Sequence, residues 1–126
     1  MITRTKYVKG QNGKKLGVVA LIYTEGYFGV GVSLCNEEDK FDNRVGTGLA
    51  IERAEKVRKE NPLYLKDITS LTLAKVSQLT GCSIPLGLNC STSEFLKGMH
   101  LMDTLSDVVT DMIYTLAIDK VKSESK

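Results

Sequence analysis

The sequence has little of the chemistry that metal sites and covalent catalysis need. It contains one histidine among 126 residues, and its three cysteines, Cys35, Cys82 and Cys90, include no C-x-x-C spacing. An odd number of cysteines without that spacing indicates neither a disulfide framework nor a zinc site. We therefore expect reduced thiols, a cytoplasmic location and no cofactor.

Long apolar runs and a charge of one sign are also missing. The longest uninterrupted apolar run extends from Val18 to Tyr23, too short to span a membrane, and the N-terminal residues lack the apolar stretch of a secretory signal. The 17 basic and 15 acidic residues leave a net charge of +2, which does not by itself imply a nucleic-acid partner. The remaining composition, 42% hydrophobic and 25% charged, is typical of a soluble globular protein, and we predict a single domain over residues 1–126.

The first third of the chain has the pattern of an antiparallel meander. Turn residues at Gln11-Asn12-Gly13 and Glu25-Gly26 separate three strand-like segments, Thr3 to Lys9, Lys14 to Thr24, and Tyr27 to Leu34. The middle segment is apolar over most of its length, as expected for a central strand that is covered on both faces.

Helical patterns follow the predicted sheet. Residues Asn43 to Glu60 form an amphipathic pattern that ends before Asn61-Pro62, where proline disfavours continuation. A short middle helix is expected from Thr69 to Thr80 with Gly81 as its C-cap, although the β-branched residues there leave a strand open. The predicted fold class is therefore α+β, with a sheet-plus-helix unit in residues 1–60 and a helical part in 61–126.

A long C-terminal helix is predicted over residues 92–122. Ser91 and Glu94 have the spacing of a capping box, and Cys90 with Phe95 has that of a hydrophobic staple. The apolar residues of this helix cover about half of its circumference, which is wider than one buried stripe. Either a second copy of the chain covers the surplus, giving a homo-oligomer, or the middle helix does.

Arg53 projects onto the apolar face of the first helix, where a guanidinium needs an acceptor. We predict an ion pair with Asp39 or Asp42, in the segment that enters this helix. The alternative is an anion site formed by Arg53, Arg44 and the helix N-terminus.

Two glycines, Gly46 and Gly48, lie in the first turns of the same helix if Asp42 or Asn43 is its N-cap. Glycine lowers helix stability, so its presence at these two helical positions needs a structural explanation. Because Gly29 and Gly31 lie on the preceding strand, we predict that glycines on both elements allow a close approach of helix and sheet.

Residues 33–48 (SLCNEEDKFDNRVGTG) also concentrate reactive groups. Asp39 and Asp42 are candidate ligands for a divalent cation, but the EF-hand spacing is missing, so we predict no metal site. Ser33 and Cys35 have no nearby base in sequence, since His100 projects onto a polar strip of the last helix. We therefore predict no catalytic residues and no enzymatic activity.

Basic residues offer a weaker alternative, a nucleic-acid or nucleotide-binding module that uses the basic face of helix 43–60. Acidic residues interrupt that face at helical spacing, which also fits an ordinary solvated surface. The tyrosines Tyr7, Tyr23 and Tyr27 would supply stacking surfaces on the sheet. The candidate ligand- or partner-binding residues are Lys14, Lys15, Arg44, Arg53, Arg58 and Lys59.

Three motifs follow one another in this sequence: a Ser-x-Cys strand end at residues 33–35, an Asp-x-Phe linker at 39–41 and a Gly-x-x-Leu-Ala-x-x-Arg-Ala helix at 46–54. This order resembles that of a family of small phage and prophage proteins, whose helix motif has Ile or Leu at the fourth position. The resemblance covers roughly residues 16–59, and it departs at Thr47, where such proteins often carry a basic residue. It implies an accessory protein that binds and modulates or inhibits a host factor in the host cytoplasm, with anti-defence among such roles. The matching residues are Ser33-Leu-Cys-Asn36, Asp39-Lys-Phe41, Gly46, Leu49-Ala50 and Arg53-Ala54.

Overall fold

The computed structural model describes residues 1–10, 13–35, 41–81 and 91–124. The chain has the predicted α+β architecture, an antiparallel sheet followed by helices. The strands are β1 (Ile2–Lys9), β2 (Lys15–Thr24) and β3 (Tyr27–Leu34), and the helices are α1 (Asn43–Glu60), α2 (Leu65–Ile68), α3 (Leu73–Thr80) and α4 (Thr92–Glu124).

The strand order is β1-β2-β3, so the apolar middle strand occupies the centre of the sheet as predicted. Side chains alternate along β2, which places Val18 and Ile22 on one face and Val19 and Leu21 on the other. The first pair packs with alanines of α1, and the second pair packs with residues of α4. The sheet therefore lies between α1 and α4, with a core on each side.

The β2–β3 turn has the backbone that its sequence requires. Glu25 and Gly26 have φ angles of 57° and 90°, and positive values at both central positions are typical of a type I′ hairpin. The predicted β1–β2 turn at Gln11-Asn12 lies outside the described residues.

Glycines let α1 lie directly on β3. A Cβ atom at Gly29 would collide with the carbonyl oxygen of Ala54, and one at Gly31 with that of Ala50. The predicted role of Gly48 is wrong, since a Cβ atom there would meet nothing within 4 Å. The close approach therefore pairs strand glycines with helix alanines, because alanine is small and keeps the helix stable.

Gly46 serves a different contact, with the linker rather than with the strand glycines. A Cβ atom at this position would lie 2.9 Å from the Phe41 ring, and the Gly46 carbonyl accepts a 2.8 Å hydrogen bond from Ser33 Oγ. Helix, strand end and linker therefore meet at Gly46.

The middle element in segment 61–81 is a helix and not a strand, which were the two alternatives left by the sequence. Its helix α3 begins after Thr72, whose hydroxyl accepts from Lys75 N at 3.2 Å, and not at Thr69. Gly81 ends it with a φ of 67°, as expected for a C-cap.

Leu63 forms two backbone hydrogen bonds with Phe28, one in each direction, and so continues the sheet beyond β3.

The helix α4 begins at the predicted capping box. Glu94 N donates to Ser91 Oγ at 3.2 Å, and Ser91 N donates to Glu94 Oε2 at 3.3 Å. The staple residue Cys90 lies outside the described residues.

Two polar contacts join α4 to β1, a 3.0 Å ion pair between Lys6 and Asp111 and a 3.1 Å hydrogen bond from Arg4 to Thr115. Among the residues that the structure describes, no helix is both long and apolar enough to cross a membrane.

Candidate functional site

Arg53 binds a backbone carbonyl and not a carboxylate. Its Nη1 atom donates to Val32 O at 2.7 Å. Because β3 is an edge strand and the Phe28 backbone points outward to Leu63, the backbone of Val32, four residues further on, also points away from β2. The guanidinium therefore satisfies an acceptor on the free edge of the sheet.

The predicted ion pair of Arg53 with Asp42 is wrong. Asp42 is the N-cap of α1, and its Oδ1 atom accepts from Arg44 N at 2.9 Å and from Val45 N at 3.1 Å. The amides of the first turn hold the Asp42 carboxylate at the helix N-terminus, and Arg53 donates to Val32 O instead. The other predicted partner, Asp39, lies outside the described residues.

Arg58 is also engaged with backbone. Its Nη2 and Nε atoms donate to Thr24 O at 2.7 and 3.2 Å, and Nη2 lies 3.6 Å from Glu25 Oε2. Since Arg53 and Arg58 both bind the sheet, the predicted basic face of α1 is not a continuous row of free cations. Lys59 beside them is exposed.

A second basic group lies at the opposite end of α1. Lys15 Nζ lies 4.1 Å from the centre of the Tyr7 ring and 3.4 Å from Asn43 Oδ1, while Lys14 and Arg44 are exposed. We call Tyr7, Lys14, Lys15, Asn43 and Arg44 the lysine–tyrosine cluster. The 14 residues from Arg44 to Arg58 correspond to about 21 Å of helix. The six basic candidates therefore divide between two ends of the molecule, with Arg53 turned onto the sheet.

Two of the reactive residues of the sequence, Ser33 and Cys35, take part in hydrogen bonds that join the strand end to helices. Ser33 is buried and binds Gly46, and the Cys35 carbonyl accepts from Lys97 Nζ at 2.8 Å. His100 was expected to face solvent, but it is half-buried, and its Nε2 atom is buried with no hydrogen-bond partner among the described residues. The same residues include no group of three or more side chains that would hold a metal ion. Asp39, the other candidate ligand, lies outside them.

An exposed aromatic group lies at the β2–β3 turn end of the sheet, and of its residues only Tyr27 was predicted from the sequence, as a stacking surface. The rings of Tyr27 and Tyr64 are 5.3 Å apart, and 37% and 52% of these residues remain exposed. Leu65 beside Tyr64 is 52% exposed. We call these three residues the tyrosine patch. Hydrogen bonding to Tyr27 raises the pKa of the Tyr64 hydroxyl, and the charge of Asp67 adds to this effect.

The tyrosine patch depends on a contact that has no local sequence signal. The bridge between Phe28 and Leu63 places their neighbours Tyr27 and Tyr64 side by side, although they are far apart in the chain. Tyr27 was predicted from the sequence as a stacking surface, and Tyr64 was not.

The outer side of α4 is apolar as well. Phe95, Met99 and Met102 are 56%, 49% and 37% exposed, and their spacing places them on one line along the helix. The short helix α3 packs mainly against β3 and α1, and these three residues of α4 stay exposed. Further along the same line, Val109 and Ile113 are half-buried, Val109 against the sheet core, and Ala117 is exposed. We call the whole line the outer stripe, which consists of Phe95, Met99, Met102, Val109, Ile113 and Ala117.

Comparisons with known proteins add no relative. No protein-family profile matches the chain, and neither a curated protein nor a solved structure matches it. The resemblance to phage proteins over residues 16–59 therefore stays a prediction.

Proposed function

We propose that this chain is a non-enzymatic accessory protein of the phage type that binds a host protein in the host cytoplasm and modulates or inhibits it. The observation that carries the proposal is the tyrosine patch. Tyrosine is enriched at protein interfaces because it combines a large apolar ring with a polar hydroxyl, and it is a frequent hot-spot residue. Anti-defence is one role that such binding would serve.

Rigid support makes the tyrosine patch suited to binding. Tyr27 directly follows the type I′ turn, and Tyr64 directly follows the bridging residue Leu63. Tyr64 N also donates to Asp67 Oδ2 at 2.8 Å. Side chains on such backbones lose little conformational entropy when a partner binds them.

The charges around the tyrosine patch favour a protein over a nucleic acid. Arg58 is paired with Glu25, and the neighbouring residues Lys66 and Asp67 beside the tyrosines carry opposite charges. A nucleic-acid surface needs an excess of cations to displace counterions, whereas a rim of both signs is common around protein interfaces.

Capture from a nuclease-treated bacterial lysate tests this proposal. We expect a bound protein that is retained by the wild type and lost by at least tenfold with Tyr64→Ala. Tyr114→Ala is the matched control, because Tyr114 is a 66% exposed tyrosine on α4, outside the tyrosine patch. A photo-crosslinking residue at Leu65 should then label the same protein.

Three results would contradict the proposal: capture that disappears with nuclease, equal capture by wild type and Tyr64→Ala, or equal loss with Tyr64→Ala and Tyr114→Ala. Circular dichroism of each variant establishes that the fold is retained before binding is compared.

The second candidate function, nucleic-acid or nucleotide binding, rests on the lysine–tyrosine cluster. Lys15 lies against the face of Tyr7 and close to Asn43, so a cation and a ring are held beside the start of α1. Proteins that bind single-stranded nucleic acids combine positive charges, which contact the phosphate backbone, with exposed aromatic rings, on which the bases stack.

Fluorescence anisotropy with a labelled single-stranded oligonucleotide distinguishes this candidate. Binding through the lysine–tyrosine cluster should weaken steeply with salt and fall at least fivefold with Lys15→Glu. Lys59→Glu makes the same charge change at the other end of α1 and should have a smaller effect. Absent or salt-independent binding removes the candidate.

A further inference from the structure

We propose that the outer edge of β1 binds an extended, acidic segment of a partner protein, which adds to the sheet as a fourth strand. This edge is separate from the tyrosine patch, which lies beside β3 at the opposite edge of the sheet. The occupant is a peptide whose backbone pairs with β1 and whose carboxylates lie near the lysines of the first hairpin.

The direction of the β1 backbone follows from the hydrogen bonds of β3. Phe28 exchanges hydrogen bonds with Leu63, so its backbone points away from its β2 partner, Tyr23. In an antiparallel sheet, the N–H and C=O groups of a residue point to the same side, and this side alternates along the strand. The backbone of Tyr23 therefore points to β1, and its pair with Ile2 is a hydrogen-bonded one.

Because Ile2 bonds to β2, the next residue of β1 and every second one after it point to the outer edge. These residues are Thr3, Thr5 and Tyr7, which present three N–H and three C=O groups. The Thr3 carbonyl accepts from Arg4 Nη1 at 2.9 Å, which fits a carbonyl that is turned away from β2. Within residues 1–10, 13–35, 41–81 and 91–124, β1 pairs with β2 and with no other strand. An extended peptide would bond to this row of groups, as in other cases of strand addition.

The side chains on the outer positions of β1 also suit a neighbouring strand. Thr5 is exposed, and Tyr7 is 37% exposed. Their β2 partners Ala20 and Val18 are buried under α1, which packs mainly on β3 and β2. β-branched and aromatic residues stabilise a sheet by packing with side chains on the adjacent strand. An added strand would supply that packing for Thr5 and Tyr7.

The first hairpin has a charge of one sign. Residues 1–24 contain no acidic residue, and their five basic residues are Arg4, Lys6, Lys9, Lys14 and Lys15. On the α4 side of the sheet, Asp111 forms an ion pair with Lys6, and Asp107 lies one turn away on the helix. The positive charge beside the middle of β1 is therefore partly balanced.

The excess of positive charge is largest at the hairpin end of β1. Lys9 is exposed there and pairs with Lys15, so it adjoins the lysine–tyrosine cluster. Among the described residues of this end, the carboxylate of Asp42 stands against four cations, and it accepts hydrogen bonds from amides of α1. A partner strand with carboxylates is attracted to this end, whereas a basic strand is repelled.

Charge also disfavours a second copy of the chain at this edge. A two-fold pair of β1 strands is antiparallel, and in the registers centred on Arg4, Thr5 or Lys6 a cation faces a cation. Like charges directly opposite each other destabilise a sheet. The β1 strand of a second copy also has no carboxylate to offer to the lysines.

Binding of defined peptide pools to the immobilised chain tests the proposal. The acidic pool consists of peptides of about ten residues, the length of a long strand, in which glutamate alternates with valine, isoleucine or threonine. A matched pool has lysine in place of glutamate. We expect acidic peptides to be retained at least tenfold better than basic ones. Equal retention of both pools overturns the proposal, as does retention of a single-stranded oligonucleotide without any acidic peptide.

Methylation of peptide nitrogens separates strand addition from attraction by charge alone. Methyl groups on one set of alternate nitrogens of the best acidic peptide face β1 and should abolish binding, because they remove its donors. Methyl groups on the other set face away and should have little effect, although the charge is the same. Equal affinity of the two methylated peptides would overturn the fourth strand.

Amide hydrogen exchange, measured by nuclear magnetic resonance, tests the edge in the wild-type chain. The amides of Arg4 and Lys6 bond to β2 and should exchange slowly with and without peptide. The amides of Thr5 and Tyr7 should exchange rapidly in the free chain and at least tenfold more slowly with saturating acidic peptide. Slow exchange of Thr5 and Tyr7 in the free chain, or rapid exchange that the peptide leaves unchanged, would contradict the proposal.

A charge reversal locates the bound carboxylates. Lys9→Glu should weaken binding of the acidic peptide at least fivefold, because Lys9 lies at the basic end of the edge. Lys56→Glu is the matched control, since it makes the same charge change at an exposed residue of α1 and should have little effect. Equal weakening by the two variants would mean that the peptide responds to net charge and not to the β1 edge, which would overturn the proposal.

Discussion

At the scale of single residues, glycines have opposite roles in β3 and in α1. Gly31 lies under α1, where a Cβ atom would collide with the Ala50 carbonyl, whereas Gly48 faces open space. The same residue type therefore allows a close contact at one position and only weakens the helix at the other.

Alanine substitution should separate these two roles. Gly31→Ala should lower the free energy of unfolding by about 1–3 kcal/mol, because the backbones of helix and strand must move apart. Gly48→Ala should raise it by about 0.5–1 kcal/mol, because alanine is the better helix former and meets nothing. Urea unfolding followed by circular dichroism measures both changes, and effects of the same sign would contradict the packing described for α1.

At the scale of elements, α1 is attached to the sheet by guanidinium groups as well as by apolar contacts. Arg53 donates to Val32 O on the open edge of β3, and Arg58 donates to Thr24 O at the end of β2. Val32 lies on the edge strand β3, and its carbonyl has no strand partner, so the Arg53 hydrogen bond replaces part of a missing neighbour.

Removing one of these groups should be measurable. Arg53→Met keeps most of the apolar stem but leaves the Val32 carbonyl without its donor, and we expect a loss of about 1–3 kcal/mol in the free energy of unfolding. Lys59→Met is the control, since Lys59 is exposed and its replacement should change stability by less than about 0.5 kcal/mol. Equal effects in the same unfolding experiment would mean that the Arg53 hydrogen bond does not stabilise the fold.

The elements that sequence reasoning located are those with local signals. The turn at Glu25-Gly26, the C-cap at Gly81 and the capping box at Ser91 depend on residues a few positions apart, and backbone chemistry decides them. The acceptor of Arg53 was mispredicted because the nearest carboxylate in sequence, Asp42, is used by the helix amides.

The tyrosine patch was missed for a related reason. Tyr27 and Tyr64 meet only because Leu63 bridges to β3, a contact between distant segments that no local pattern encodes. The width of the apolar arc on the last helix was visible in the sequence. The sequence did not show which half of this arc the sheet covers, because that depends on how α4 packs across β1 and β2.

At the scale of the whole molecule, β2 belongs to both cores. Leu21 is buried among residues of α4, and its neighbour Ile22 is buried among alanines of α1. Neither helix can lose its packing surface without exposing one face of this central strand. The two layers of helix should therefore depend on each other through the sheet.

The expected result is a single cooperative unfolding transition. Far-ultraviolet circular dichroism reports the helices, and near-ultraviolet circular dichroism reports the packed rings of Tyr23 and Phe28, whose centres are 4.8 Å apart. Both signals should change at the same urea concentration, and Leu21→Ala should move both midpoints together with a loss of about 2–5 kcal/mol. A helical signal that is lost before the aromatic one would mean that α4 unfolds separately, and the prediction of one domain would then be wrong.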